Sequence, residues 1–388
     1  MLRRRPSSPP PPPSPLRMLF VTSTTDGGSF RSLRELTRAL ENAGVETLTL
    51  ADDGDGRTVS RYLFEQLWDA SVRFDDVPVL GSSAEWLRSI PGRHVVADDG
   101  ALLTMAPENA FPDIAIDFKP QVVIGSSILR PTWRTIRAAC EQLHIPTALY
   151  LREPSALQHL DPAQGAPHDL VIGNSKTLVA DAADAGFTAA FIPSVVDLTA
   201  ARTTSSRERV LLVNPRYNHG VDIAAELAKS FPTINFVLQE SWILSDEEHA
   251  EVDAICTRLP NVEFRRRTDS PAEVYKDAAV VLTPHRFDNR PRVILEALAN
   301  GIPVISADLP GLVESIGPGG VIVNERRGLA GWRAALEQVW QDPSYYRSLR
   351  DSALSFSQRP EVHVDQIVAD LITQVGQVIT RNAERTTP

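Results

Sequence analysis

The sequence predicts an α/β protein built from two doubly wound, Rossmann-like domains whose parallel sheets face a common cleft. Its 388 residues exceed the length that a single hydrophobic core usually supports. Short apolar strand patterns alternate with amphipathic helix patterns in both halves of the chain. A polar stretch without either pattern, residues 199–208, lies between the halves and is typical of a linker.

These patterns divide the chain into five segments. We predict a disordered Pro-rich tail at residues 1–16, an N-terminal Rossmann-like domain at 17–198, the linker at 199–208, a C-terminal Rossmann-like domain at 209–345, and a helical segment at 346–388 that packs back toward the N-terminal domain. The tail lacks the apolar stretch of a secretory signal, and its Pro/Ser run cannot pack. Met1 and Met18 are both candidate start residues.

Composition and charge exclude several classes of protein. The net charge is -10 and no long basic block is present, which argues against nucleic-acid binding. No apolar run reaches 18 residues, so no membrane span is predicted. Cys140 and Cys256 are far apart in sequence and need not pair, which indicates a reducing, cytoplasmic location. The sequence has neither an H-E-x-x-H nor a C-x-x-C motif, so we predict no bound metal and no cofactor.

The first strand pattern, RMLFVTS, is followed by the predicted loop TTDGGS and by a helix that ends at Gly44. Gly27 and Gly28 lie in this loop. They do not form G-x-G-x-x-G, and no acidic residue follows at dinucleotide spacing, so a nicotinamide cofactor is a poor interpretation. Two glycines after a strand more often serve only a tight turn.

The segment DNRPRVILEALANGIPVIS, residues 288–306, contains the strongest candidate site. A strand pattern ends at Thr283, and Pro291 suits the first turn of a helix with Arg290 as its N-cap. Asn300 and Gly301 end that helix. Because the helix follows a strand, its N-terminus should face the cleft, where free N–H groups attract an anion such as a diphosphate.

Charged side chains flank this helix N-terminus. Arg290 and Arg292 would add positive charge, and Glu296 would project near the bound group, where a carboxylate can bind a ribose diol. Asp288 would reach a hydroxyl of a different ring. An alternative is that Arg292 and Glu296 form only a surface i,i+4 pair worth ~0.3–0.5 kcal/mol.

A second cationic run, Arg265–Arg267, follows a predicted strand. Its middle residue, Arg266, is a candidate for contact with a phosphate or a base. A solvated surface is an equally good interpretation of this run.

The residues DNRPRVILEALANGIPVISADLPGLVESIGPGGVIV resemble the donor-binding segment of retaining GT-B glycosyltransferases, most closely glycosyltransferase family 4. The matching positions are Glu296, Gly301 to Val304, Pro310-Gly311, Glu314 and Gly319-Gly320, and Asp288 stands where that family has its first Glu. The resemblance extends over most of residues 18–340, but residues 52–115 are not matched.

The resemblance implies a GT-B fold and retaining transfer of a sugar from a nucleotide diphosphate sugar to a small-molecule or glycan acceptor, by same-face attack and without a metal. It implies that Arg216, Asp288 and Glu296 are catalytic. The implied donor-binding set is Gly27, Gly28, Arg216, His219, Arg266, Asp288, Asn289, Arg290, Pro291, Arg292 and Glu296.

The sequence departs from the family at two places. His219 precedes Gly220 where the family has Lys, and a neutral His supplies less charge, although a bound phosphate would favour its protonated form. Arg152 and Glu153 replace a family His after the strand PTALYL. These two residues are candidates for binding the acceptor, or they form a salt-bridged loop.

Two other functions remain open on the sequence. A GT-B sugar-nucleotide 2-epimerase would use the same donor without an acceptor. A non-catalytic sugar-nucleotide-binding protein would account for the missing Lys and His.

Overall fold

The computed structural model describes residues 15–25, 27–52, 95–96, 100–104, 106–160 and 168–386. Nearly all of the predicted Pro-rich tail and most of the unmatched stretch at 52–115 lie outside these residues. Two β-sheets organise the rest of the chain.

The N-terminal sheet has the strand order β3-β4-β2-β1-β5-β6-β7-β8, and its described pairs are parallel except β3 with β4. Its strands are β1 Arg17–Thr22, β2 Glu46–Asp52, β3 Val95–Val96, β4 Leu102–Thr104, β5 Val122–Ser126, β6 Thr147–Leu151, β7 Leu170–Gly173 and β8 Ala189–Phe191. The helices between them are α1 Gly27–Asn42, α2 Pro107–Phe118, α3 Arg130–Gln142 and α4 Lys176–Asp184.

The C-terminal sheet is parallel throughout, with the strand order β11-β10-β9-β12-β13-β14. Its strands are β9 Arg209–Val213, β10 Asn235–Gln239, β11 Val262–Arg265, β12 Ala278–Thr283, β13 Val304–Ala307 and β14 Gly320–Val323. Its helices are α5 Val221–Ser230, α6 Asp246–Arg258, α7 Pro271–Tyr275, α8 Arg292–Ala299, α9 Pro310–Ile316 and α10 Gly328–Gln341. Two further helices, α11 Pro343–Phe356 and α12 Val364–Thr386, complete the chain.

Strand β1 shows why the N-terminal domain has helices on both faces of its sheet. Met18 and Phe20 are buried in one core with α1 and α12, whereas Leu19 and Val21 are buried in a second core with α2 and α3. Successive side chains of a strand point to opposite faces, so an uninterrupted apolar strand needs cover on both. The prediction of two doubly wound α/β sheets is confirmed.

The C-terminal helix α12 packs on the N-terminal domain. Ile367, Leu371 and Val375 are buried in the same core as Met18 and Leu33. Helix α11 instead packs with the C-terminal core through Leu349 and Ala353. Helices α11 and α12 therefore join the two domains a second time.

Strand order predicts where a ligand binds. The strand order reverses its direction between the neighbouring strands β1 and β5 in the first domain, and between β9 and β12 in the second. Crevices at the carboxyl ends of such strands are the usual binding sites of open α/β sheets. The segments that follow β1, β9 and β12 lead to Gly27 at the start of α1, to His219 and through residues 284–291.

Two local expectations change. Helix α1 begins at Gly27, so the two glycines form its first turn rather than a separate loop. The N-cap of α8 is Pro291, whose backbone is extended, and not Arg290, so the helix starts at Arg292. Among the described helices, none is long and apolar enough to cross a membrane.

Candidate functional site

A cavity of about 460 Å³ lies between the two domains, at the carboxyl ends of both sets of strands. This volume suits a small-molecule ligand. Among the described residues, six arginines and four acidic residues line it: Arg31, Arg34, Arg152, Arg267, Arg290, Arg292, Glu153, Glu240, Asp269 and Glu296. The cavity is therefore locally basic in a chain of net charge -10, which favours an anionic ligand.

The N-terminal wall of the cavity includes Gly27 and Gly28. Gly27 has φ +81°, and a Cβ added to it would lie 2.9 Å from the Trp242 Nε1 atom of the opposite domain. Both the left-handed backbone and this close approach require glycine. The two walls are thus in contact at the first turn of α1.

Glu296 lines the opposite wall, and its side chain is about nine-tenths buried. Its carboxylate accepts a hydrogen bond from the Tyr275 hydroxyl at 2.6 Å and one from Arg292 Nη2 at 3.3 Å. The Arg292–Glu296 pair does exist, but it is buried in the cavity wall rather than exposed on the surface. A carboxylate has about four acceptor positions, so two remain for a ligand.

Arg292 joins the two domains. Its guanidinium donates to both carboxylate oxygens of Glu35 in α1, each at 2.8 Å, and to Ser32 Oγ at 2.9 Å. Forked pairs of this kind are among the stronger polar contacts in proteins. Arg292 also contributes to the cavity wall, but its charge is compensated by Glu35 and Glu296.

Arg290 lies beside it and is buried between the domains. It donates from Nη1 to the carbonyl oxygen of Asn174 at 2.8 Å, while Glu314 and Glu361 each lie 4.0 Å away. Burial lowers the pKa of Arg290, and the two carboxylates oppose this shift. This residue both lines the cavity and holds the domains together.

Asp288 does not line the cavity in this structure. Its Oδ1 accepts the backbone N–H of Gly311 at 2.8 Å, at the start of α9. Burial raises the pKa of Asp288, and the backbone N–H bonds, first that of Gly311, oppose the shift. Asn289 does line the cavity, and its side-chain oxygen contacts His285 Nδ1 at 3.2 Å.

Arg216 also lies outside the cavity lining. Its Nη2 donates to the carbonyl oxygen of Ile243 at 2.7 Å, and its Nε lies 3.2 Å from Glu248 Oε1. It therefore fastens the loop after β9 to the start of α6. Its catalytic role stays a prediction.

His219 lines the cavity inside a group of aromatic rings formed with Trp242, His285 and Phe287. Burial, followed by the neighbouring charges of His285 and Arg216, lowers the pKa of His219 to about 3. Burial also lowers the pKa of His285 to about 4. Both rings are neutral at pH 7, so His219 does not supply the charge of a Lys in the unliganded protein.

The Arg265–Arg267 run divides between surface and cavity. The side chain of Arg266 is 68% exposed and lies over the Phe264 ring, outside the cavity. Arg267, which the sequence analysis did not select, lines the cavity. Arg265 pairs with Asp277 and Glu263.

Arg152 and Glu153 both line the cavity but do not pair with each other. The Glu153 carboxylate accepts from Ser155 Oγ at 2.6 Å. Arg152 donates to Ser194 Oγ at 2.7 Å and to Ser126 Oγ at 3.3 Å. No ion pair of Arg152 occurs within the described part of the chain, so the salt-bridged loop is not what the structure contains.

Several residues of the cavity wall were not predicted from the sequence. They are Asn174, Ser194, Trp242, Tyr275 and His285. Asn174 and His285 directly follow or closely follow buried strands, and this position was the available signal. Within the described residues, no group of three or more His, Cys, Asp or Glu side chains is arranged to hold a metal ion.

Comparison with known proteins gives a family match over part of the chain and a fold for nearly all of it. Residues 210–342 match the family described as Glycosyl transferases group 1. This match spans β9 to α10 and includes the segment from Asp288 to Glu296. A search of curated proteins found no match.

Solved structures match nearly the whole chain at low identity. Sucrose-phosphate synthase from Thermosynechococcus elongatus has a TM-score of 0.73 at 14% identity and covers 94% of this chain and 100% of its own. Anabaena HepE in complex with UDP-glucose has a TM-score of 0.67 at 14% identity and covers 92% and 99%. A glycosyltransferase from Rickettsia africae has a TM-score of 0.66 at 11% identity and covers 94% and 99%.

Proposed function

We propose that this chain is a retaining glycosyltransferase that moves a sugar from a nucleotide diphosphate sugar to a small-molecule or glycan acceptor. It has the GT-B fold, and its residues 210–342 match the group 1 glycosyl transferases. The observation that carries the proposal is that the start of α8, Glu296, and Gly27 and Gly28 all line one basic cavity between the domains.

Each of these groups has a role in the proposal. Glu296 binds the ribose diol through its remaining acceptor positions. The N–H groups of the first turns of α8 and α1 approach the diphosphate, where the helix dipoles favour negative charge. Arg267 and the arginines of α1 add positive charge, which stabilises the diphosphate as it leaves.

Asp288 and Arg216, whose catalytic roles stay predictions, also position loops of the cavity. Asp288 fixes the loop before α8 through its bond to Gly311, and Arg216 fixes the loop before α5 through Ile243 and Glu248. Both loops carry residues that line the cavity, namely Asn289 and His219. A change at Asp288 or Arg216 would therefore alter the donor site through its neighbours.

Retention and metal independence rest on the resemblance to family 4 enzymes. Attack from the face that the diphosphate leaves requires no protein nucleophile, and the donor phosphate accepts the proton of the acceptor. NMR of the first product should show the anomeric configuration of the donor. Activity should persist in excess EDTA.

A second candidate is a protein that binds the donor without turning it over. The observation in its favour is that His219 is neutral, so the site lacks the charge of the family Lys. Donor binding without product across an acceptor panel would support it.

The experiment that tests the proposal is a thermal-shift screen of UDP-, GDP-, dTDP- and ADP-sugars followed by transfer assays. A ligand that binds only the folded state raises the melting temperature. One donor series should do so, and transfer should follow with an acceptor. No shift with any nucleotide would contradict the proposal.

A further inference from the structure

Arg152 stands apart from the other buried arginines of the cavity. It follows β6, is 6% exposed, and lies over the Tyr150 ring at 3.9 Å. Among the described residues, its guanidinium donates only to two serine hydroxyls, Ser126 and Ser194, and its Nη2 atom is buried without a hydrogen-bond partner.

A buried cation without a carboxylate is costly. Arginine keeps its proton at neutral pH, so it cannot relieve the cost by becoming neutral. Such groups are normally paired, because an uncompensated buried charge destabilises the fold. An uncompensated buried cation in the wall of a cavity therefore indicates that a ligand supplies the missing negative charge.

Asn174 provides a second unused group beside it. Its side-chain N–H donates to the carbonyl oxygen of Arg152 at 3.2 Å, which fixes the orientation of the amide. Its Oδ1 is buried and has no hydrogen-bond partner among the described residues. Asn174 is 3% exposed and lines the same cavity. An unused donor and an unused acceptor thus lie next to each other.

We propose that Arg152 and Asn174 bind the acidic group of a carbohydrate. Arg152 donates hydrogen bonds to its carboxylate or phosphate, and the Asn174 Oδ1 atom accepts a hydrogen bond from a neighbouring hydroxyl. The inference rests on the proposed function and adds the substrate class. The forked guanidinium matches either anion. The acidic group belongs to the transferred sugar or to the acceptor.

The residues of this site come from other elements than those assigned to the diphosphate. Arg152, Asn174 and Ser194 follow β6, β7 and β8 of the N-terminal sheet. The start of α8 and Glu296 belong to the C-terminal domain. One substrate that spans the cavity, or two substrates side by side, would meet both sets.

The test compares matched pairs of ligands that differ in one acidic group. Comparing the affinities of UDP-glucuronate and UDP-glucose tests whether the donor carries the acidic group. Glucuronate and glucose 6-phosphate against glucose, with the nucleotide site saturated by a nucleoside diphosphate, test the acceptor. Inorganic phosphate and malonate at constant ionic strength test the anion alone. Affinity is measured by calorimetry on the full chain.

We expect at least one acidic ligand to bind wild type 10-fold or more tightly than its neutral partner. Arg152→Met should reduce that preference to less than 2-fold and leave nucleoside diphosphate affinity unchanged. Arg266→Met, which removes an exposed charge outside the cavity, should keep the preference.

Two results would overturn the inference. One is that no acidic ligand binds wild type more tightly than its neutral partner, which needs no variant. The other is that Arg152→Met retains the preference. Failure of every nucleoside diphosphate to bind would instead contradict the proposed function, and the phosphate and malonate arm would still decide the role of Arg152.

Discussion

Arg292 and Arg152 are two buried arginines on opposite walls of one cavity, and they differ in their partners. Arg292 forms a forked pair with Glu35 and contacts Glu296. Arg152 has only serine hydroxyls within the described structure. The paired residue stabilises the contact between the domains, whereas the unpaired residue keeps binding capacity for a ligand. Burial alone therefore does not separate structural arginines from functional ones.

The largest expected effect compares the stability of two variants. Arg292→Met should lower the free energy of unfolding by about 3 kcal/mol, because Glu35 loses its forked pair and keeps only the longer contact with Arg31, and the buried Glu296 also loses a cation. Arg152→Met should change it by about 1 kcal/mol or less, because no carboxylate loses a partner. Urea unfolding of both variants measures this difference.

The double variant Arg292→Met/Glu35→Gln is the control, and it should recover part of the loss. Equal destabilisation by Arg292→Met and Arg152→Met would break the comparison.

A substitution of Glu296, which Arg292 contacts in the cavity wall, tests ligand binding rather than stability. Glu296→Ala should weaken nucleotide diphosphate sugar binding by about 100-fold, which equals about 2.7 kcal/mol, because the ribose loses a charged acceptor. The fold should persist, since Arg292 keeps Glu35. Glu273→Gln, an exposed change on α7, is the matched control and should bind as wild type does.

His219 differs from the two arginines because it avoids the cost of a buried charge by losing its proton. Its pKa in the fold is about 3, below the usual 6.5, so the unfolded chain takes up the proton first as the pH falls. Its contribution to stability is complete above about pH 6.5 and is lost as the pH falls toward 3. Between pH 7 and pH 5 this loss is about 2 kcal/mol.

The variant His219→Phe isolates that contribution. Its free energy of unfolding should fall by about 2 kcal/mol less than that of wild type between pH 7 and pH 5. An unchanged pH dependence would show that His219 is already protonated or exposed in the folded protein.

Arg266 is the exposed arginine with which the effects of substituting the buried arginines are compared. Arg266→Ala should change both donor affinity and stability very little, by about 0.5 kcal/mol or less. Arg267→Ala should weaken donor binding, because Arg267 lines the cavity. If the two variants lose affinity equally, the division of this run into surface and cavity residues is wrong.

The sequence was sufficient for the two sheets, because the alternation of strand and helix patterns and the polar linker are local signals. It also made Glu296 and the start of α8 candidates, because a strand, a helix start and two carboxylates lie close together in sequence there, and both line the cavity. The resemblance to family 4 brought Arg152 into consideration, because Arg152 and Glu153 stand where that family has a His after a strand.

The partners of each side chain were not predictable in this way. Glu35 and Arg292 are 257 positions apart, so only the folded chain shows that they pair. The cap of α8 depended on whether Pro291 is extended, which the sequence left undecided. Asp288 faces Gly311 rather than the cavity because α9 begins beside it, a tertiary contact with no local pattern. The neutral state of His219 likewise follows from three rings contributed by other loop positions.

The central claim is that the cavity between the domains binds a nucleotide diphosphate through Glu296. Calorimetric titration of wild type and Glu296→Ala with UDP, GDP, dTDP and ADP tests it directly. We predict that one of the four binds wild type with one molecule per chain, and that Glu296→Ala, still folded, loses this binding by about 100-fold. Absence of binding by all four, or equal binding to both proteins, would contradict the claim.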